Sequence, residues 1–294
     1  MPSNQVKIGC SGWNYGEESD RGGWVYSFYP GKDTKRLRYY SQFFDTAEMD
    51  SIFYKKFYVN MSKGIFFGMS RATPKHFEFS VKVPEIITHE KRLSVDKGAM
   101  EDFQEFLEKI SPLKIDKKLG AIILQLPPSF TLDEFRNTEK FLDRLPDIKD
   151  YDYAMEFRHP SWNTEGSWDM LRHYNIASVI TDSPSVERLQ FLSEPIVTAD
   201  HVLLRLHGRN TKGHYWYNYL YSREELEPWV KKVDEIREKV KNIRIYFNNH
   251  YGGKAVANAL QFKEMVSDEP LPEEQRKVLT HVESYLRKDL VTSR

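Results

Sequence analysis

Eight β-rich runs, each followed by a turn signal and a helical pattern, restrict this chain to very few folds. The runs are VKIGCSG (6–12), TAEMDSI (46–52), HFEFSVKV (76–83), LGAIILQL (119–126), DYAMEFR (152–158), IASVITD (176–182), HVLLRLH (201–207) and NIRIYFN (242–248). Between and after them lie the helical patterns KRLRYYSQFF, SKGIFFGMSRA, AMEDFQEFLEKI, LDEFRNTEKFLDRL, SWDMLRHY, REELEPWVKKVDEIREKV and GKAVANALQFKEM. Strand starts are 24 to 43 residues apart, the span of a βα unit. Alternating strands and helices predict an α/β fold with a parallel sheet. Eight repeats favour a single closed (β/α)8 TIM-type barrel over residues 1–294 rather than an open doubly wound sheet. The connection 183–200 reads as a short helix or a loop. Near the end, Val278, Leu279, Val282, Tyr285 and Leu286 form one apolar face, which predicts a C-terminal helix packed outside the barrel.

Charge and motifs exclude several classes. The chain carries 43 Lys+Arg and 43 Asp+Glu, a formal net charge of zero, which argues against a tail-driven polyanion binder. Its one cysteine, Cys10, allows no intrachain disulfide. The first residues lack the apolar core of a signal peptide and no apolar run is long enough to span a bilayer, so a cytoplasmic protein without a membrane partner is expected. No GxSxG, P-loop, GxGxxG or HExxH pattern occurs.

In such a barrel the active site lies at the C-terminal strand ends, and residues at i and i+2 share a face. Those ends are charged. Glu48 and Asp50 share a face on the second strand, Lys82 closes the third and Gln125 the fourth. Glu156 and Arg158 end the fifth, Asp182 the sixth, and Arg205 and His207 the seventh. All are expected to point into the barrel mouth, because unpaired charges cannot be buried among apolar helix contacts. Glu48, Glu156, Asp182 and His207 are the expected catalytic groups, with Glu48 and Glu156 as an acid/base pair. Asp50, Lys82, Gln125, Arg158 and Arg205 are the expected substrate-binding groups. The loops after strands seven and eight add Arg209, Asn248, Asn249 and Gly253, the last in a Gly-Gly turn at a helix start suited to an anion. The set predicts a small anionic or sugar-like ligand. Its carboxylates and His207 are able to hold a divalent cation, but three nearby cations would repel one, so no metal and no cofactor is assigned. Basic segments (Lys32, Lys35, Arg36, Arg38, Arg209, Lys212) beside aromatic residues leave nucleic-acid binding as an alternative, and a non-catalytic ligand sensor as a third.

The pieces IGCSGW (8–13), FYPGK (28–32), LRYYSQFFDTAEMDSIFY (37–54), FEFSVKVPEIITHEKRL (77–93), LGAIILQLPPSF (119–130), AMEFRHPSW (154–162), ITDSP (180–184), LLRLHGR (203–209) and YFNNHYGGKAVANAL (246–260) run in one order along nearly the whole chain. Together they resemble the domain of unknown function 72, the YecE-like family. The resemblance implies a TIM-type barrel and no settled activity, and likeness of that barrel to apurinic endonuclease IV suggests nucleic acid as a ligand. No metal triad of that endonuclease maps onto this chain. Asp50 stands where the family more often has asparagine, and residues 14–27 form a longer first loop than is usual.

Overall fold

The computed structural model describes residues 5–17, 22–146, 150–184, 195–212, 215–267 and 269–292. Nine parallel strands form one sheet: β1 (Gln5–Ser11), β2 (Thr46–Met49), β3 (Glu78–Lys82), β4 (Leu119–Gln125), β5 (Asp152–Glu156), β6 (Ala177–Ser178), β7 (Ile180–Asp182), β8 (His201–Leu206) and β9 (Asn242–Phe247). Their order around the sheet is β6-β5-β4-β3-β2-β1-β9-β8-β7. The two edge strands are consecutive in the chain, with only Val179 between them. The predicted sixth strand is therefore one segment that pairs with β5 through Ala177 and Ser178, then with β8 through Ile180 to Asp182. That kink nearly closes the barrel, giving the TIM-like architecture that the eight-run pattern predicts.

Helices occupy the outside: α1 (Arg36–Tyr40), α2 (Lys55–Tyr58), α3 (Lys63–Arg71), α4 (Ala99–Ile115), α5 (Phe135–Leu142), α6 (Glu165–His173), α7 (Arg223–Arg237), α8 (Lys254–Val266) and α9 (Glu273–Thr292). Sequence periodicity missed α2 and a π-helical turn over Ile86–Glu90, both short pieces in the loops after β2 and β3. Of the connection 183–200, residues 185–194 lie outside the described residues. The expected tail helix packs through buried Leu279, Val282 and Leu286. No helix among the described residues is long and apolar enough to cross a membrane.

The barrel interior is layered. A small apolar cluster of Ala121, Ile123, Ala154, Ala177, Val179, Leu203 and Tyr246 fills the middle, while a far larger one lies between sheet and helices. Below the middle layer, Arg244 bonds Glu78 and Asp152, each at 2.7 Å, and Lys7 reaches Glu78 at 2.8 Å. The Arg244 and Lys7 charges outweigh burial and hold the Glu78 carboxyl below its ordinary range. This lattice sits at the N-terminal ends of the strands, where barrels gain stability and rarely do chemistry.

Candidate functional site

A second lattice closes the other end of the interior. Arg205 on β8 grips Glu48 on β2 with Nε (2.9 Å) and Nη2 (2.7 Å), and its Nη1 bonds Glu156 on β5. Both carboxylates are fully buried, so the guanidinium between them is the charge that permits their ionised burial. Ser11 at the end of β1 adds a hydroxyl to Glu48 at 2.9 Å. Arg158 holds Glu156 from the other side with Nε and Nη2, both at 2.8 Å. Burial pushes the Glu156 carboxyl up, but Arg205 and Arg158 overcome it and hold the group well below the usual carboxylate range. Such a carboxylate stays ionised and is poorly suited to donate a proton near neutrality, which does not fit the acid role expected of it. His207 is buried beside it, with Nε2 3.7 Å from Glu156 Oε2. Asn248 Nδ2 donates to His207 Nδ1 at 2.9 Å, leaving the ring proton on Nε2. Burial and the Arg205 charge lower the His207 pKa to about 4, so the ring is neutral.

Above this lattice opens a cleft of about 210 Å³, walled by Trp13, Tyr15, Tyr54 and Phe57 and floored by Glu48, Asp50 and Ser51. Burial first, and then the neighbouring Glu48 charge, push Asp50 up to about 6. Lys82 ends β3, and its Nζ lies 3.6 Å from the centroid of the Phe53 ring. Burial and then the Arg158 and Arg205 charges bring Lys82 down to about 7. His89, from the π-helical turn, feels the same surroundings: burial and the Lys82 charge lower it to about 4.

Six of the expected positions lie elsewhere or are otherwise engaged. Asp182 pairs in register with Leu206, whereas Thr181 pairs with Arg205. Paired residues on neighbouring parallel strands share a face, so Asp182 points to the helix layer, where it accepts Trp229 Nε1 of α7 at 2.7 Å. Arg209 clamps that same carboxylate with Nε (2.8 Å) and Nη2 (2.6 Å), outside the mouth. Asn249 is buried and donates to the Tyr219 carbonyl and to Asn258 Oδ1, each at 2.8 Å, pinning its loop. Gly253 adopts φ +92° at the start of α8, but the first loop covers the turn. Gly252 N donates to Gly22 O at 2.6 Å, Gly253 N to His250 O at 3.3 Å, and a Cβ on Gly253 would meet Ser27 Oγ at 3.0 Å. No anion cradle remains there. Gln125 is buried in the mouth layer and donates to its neighbouring Leu126 carbonyl at 2.8 Å. Arg205 belongs to the mouth, yet at 2% exposure with Nε and both Nη on carboxylates it is a brace.

A family model described as Protein of unknown function DUF72 matches residues 7–278. The chain belongs to the DUF72 family. The UPF0759 protein YunF of Bacillus subtilis is 28% identical over 90% of this chain and 95% of its own length. The crystal structure of a DUF72 family protein from Thermotoga maritima aligns with TM-score 0.74 and 34% identity, covering 89% of this chain and 99% of that one. A DUF72 family protein from Enterococcus faecalis shares the fold at TM-score 0.70 and 23% identity, over 90% of this chain and 99% of that one.

In this DUF72 chain the long first loop shapes the cleft. Tyr15 stacks on His250 at 4.6 Å, and Tyr217 stacks on the other face of the same imidazole at 4.4 Å. Trp24, wholly buried, donates Nε1 to the His250 carbonyl at 2.6 Å. Sequence reasoning missed Ser11, Trp13, Tyr15, Phe53 and His89. Alternation along β1 places Ser11 on the face of Lys7 and Gly9 and was enough to find it; the others sit in loops without a repeat to follow.

Proposed function

We propose that the barrel mouth is the active site of an enzyme acting on a small anionic substrate, phosphorylated or polyhydroxylated, with Asp50 as the proton-exchanging carboxyl. The observation that carries this reading is the position of Asp50 on the floor of the cleft, beside two carboxylates that Arg205 has already taken. A carboxyl raised toward neutrality and facing open space suits general acid–base work. The Lys82 charge reaches Asp50 on the cleft floor and the Arg158 charge reaches Tyr54 on its wall, so both bring positive charge to the edge of the cleft, and the aromatic walls suit the apolar face of a sugar ring.

Calorimetric titration with inorganic phosphate and with ribose 5-phosphate tests the reading. Arg158→Gln is expected to weaken both by about tenfold, the loss of one charge-assisted hydrogen bond. Asp50→Asn should tighten phosphate at pH 8, where it removes a like charge, and change little at pH 5, where Asp50 is already protonated. Binding indifferent to both substitutions would place the ligand elsewhere.

A further inference from the structure

A lysine buried in a barrel ordinarily meets acceptors. Lys118, buried under α3, donates to Ser70 O at 2.6 Å, Thr73 O at 2.7 Å and Thr73 Oγ1 at 2.9 Å. Lys82 is as deeply placed, at 8% exposure, yet among the described residues its Nζ makes no hydrogen bond and no ion pair. Its Nζ lies instead over the face of the Phe53 ring. Of the carboxylates whose charge reaches Lys82, Glu48 and Glu156 are committed to Arg205 and Asp50 forms no ion pair with the amine among the described residues, and the cations beside Lys82 are Arg158 and Arg205. A structural lysine would be paired at this depth. An amine kept among guanidinium groups and an aromatic ring is arranged instead to lose its proton and act as a nucleophile.

We propose that Lys82 is a nucleophile that forms an imine with the carbonyl carbon of an anionic substrate, a 2-oxo acid or a phosphorylated aldehyde or ketone. This rests on the mouth being an anion site. The neutral amine attacks the carbonyl carbon, the new C–N bond forms as the carbonyl electron pair moves to oxygen, and one nitrogen proton passes to that oxygen to give a carbinolamine. Protonated Asp50 then gives its proton to the carbinolamine hydroxyl. The C–O bond breaks, water leaves, and the nitrogen lone pair closes a protonated imine beside the Asp50 carboxylate. Arg158 faces the substrate's anionic group. The depressed pKa of Lys82 agrees with this arrangement, since a usable fraction of the amine is neutral near pH 7.

The full-length protein is incubated with pyruvate, or separately with glycolaldehyde phosphate, in the presence of sodium cyanoborohydride, and the reduced adduct is located by peptide mass mapping. One adduct per chain is expected on the peptide carrying Lys82, forming at least about tenfold faster than on solvent-exposed Lys56. Labelling by one compound alone identifies the anionic group, carboxylate or phosphate. Lys82→Arg, which keeps the charge, should abolish the adduct; Lys82→Met serves where the arginine does not fit, each variant checked for a native near-ultraviolet spectrum. Adducts spread evenly over surface lysines, or unchanged in both variants, overturn the proposal. Phosphate binding without any Lys82 adduct from either compound removes the imine and leaves the anion site standing. An adduct on Lys82 that saturating phosphate does not slow keeps the nucleophile and overturns the anion reading.

Discussion

Arg205 shows how a single residue holds the mouth together without serving as its ligand. Its guanidinium joins strands on opposite sides of the barrel by pairing Glu48 and Glu156, neither of which touches solvent. Arg205→Met leaves Glu48 buried without a cation and Glu156 with Arg158 alone, at a cost of about 3–5 kcal/mol. Urea unfolding should show that loss as a lower midpoint with an unchanged slope. Adding Glu48→Gln should recover part of it, because Glu48 is the carboxylate left without a cation, whereas Glu156 keeps Arg158. A single variant as stable as the parent would show that the lattice does not brace the barrel.

Among the elements, β1 and β2 approach more closely than any side chain permits. A Cβ on Gly9 would lie 2.1 Å from the Thr46 carbonyl oxygen, so the pair requires glycine there. Helix α1 bridges this contact: the Tyr40 hydroxyl accepts from Cys10 N at 2.7 Å and donates to Thr46 O at 3.0 Å. Tyr40→Phe keeps the ring packing but strands the buried Cys10 N–H, and should cost about 1–3 kcal/mol. Hydrogen exchange at the Cys10 amide is the direct check, with faster exchange expected in the variant. The eight strand segments and the long helices were legible because their 2- and 3.6-residue periods are local. The α2 turn, the π-helical turn at Ile86–Glu90 and the break at Val179 carry no such period; packing against the mouth and closure of the barrel set them.

On the scale of the whole molecule, three histidines resist protonation. Burial lowers His207, His89 and His250 each to about 4, against about 6.5 in an unfolded chain. The unfolded chain then binds more protons between those values, so stability is fully present above about pH 6.5 and falls as pH drops toward 4. For fully buried His207 the loss approaches about 3 kcal/mol over that window. Asp50, raised to about 6, works in the opposite sense, since its native form gains a proton first. Urea midpoints at pH 7 and pH 5 should therefore decline with acid, and His207→Asn should flatten the decline. A midpoint that rises on acidification would mean that the imidazoles are already charged in the native state.

The sequence by itself determined the order of the eight strand segments, the barrel they nearly close, and the concentration of charge at the C-terminal strand ends. Those follow from short-range repeats and from the cost of placing ions among apolar helix contacts. Which charge meets which was decided only in three dimensions. Arg205 finds Glu48 157 positions away and Glu156 49 positions away, through a register and shear that no local pattern encodes. The same register turned Asp182 outward to Trp229, and the pairing of Glu48 and Glu156 with Arg205 left Lys82 without an ion pair among the described residues. The first loop then folded over the Gly252–Gly253 turn and took the Gly252 N–H, while the Gly253 N–H closed on His250 O. An ion pair or a closed turn depends on distance through space, and in a parallel barrel neighbours in space are dozens of residues apart in the chain.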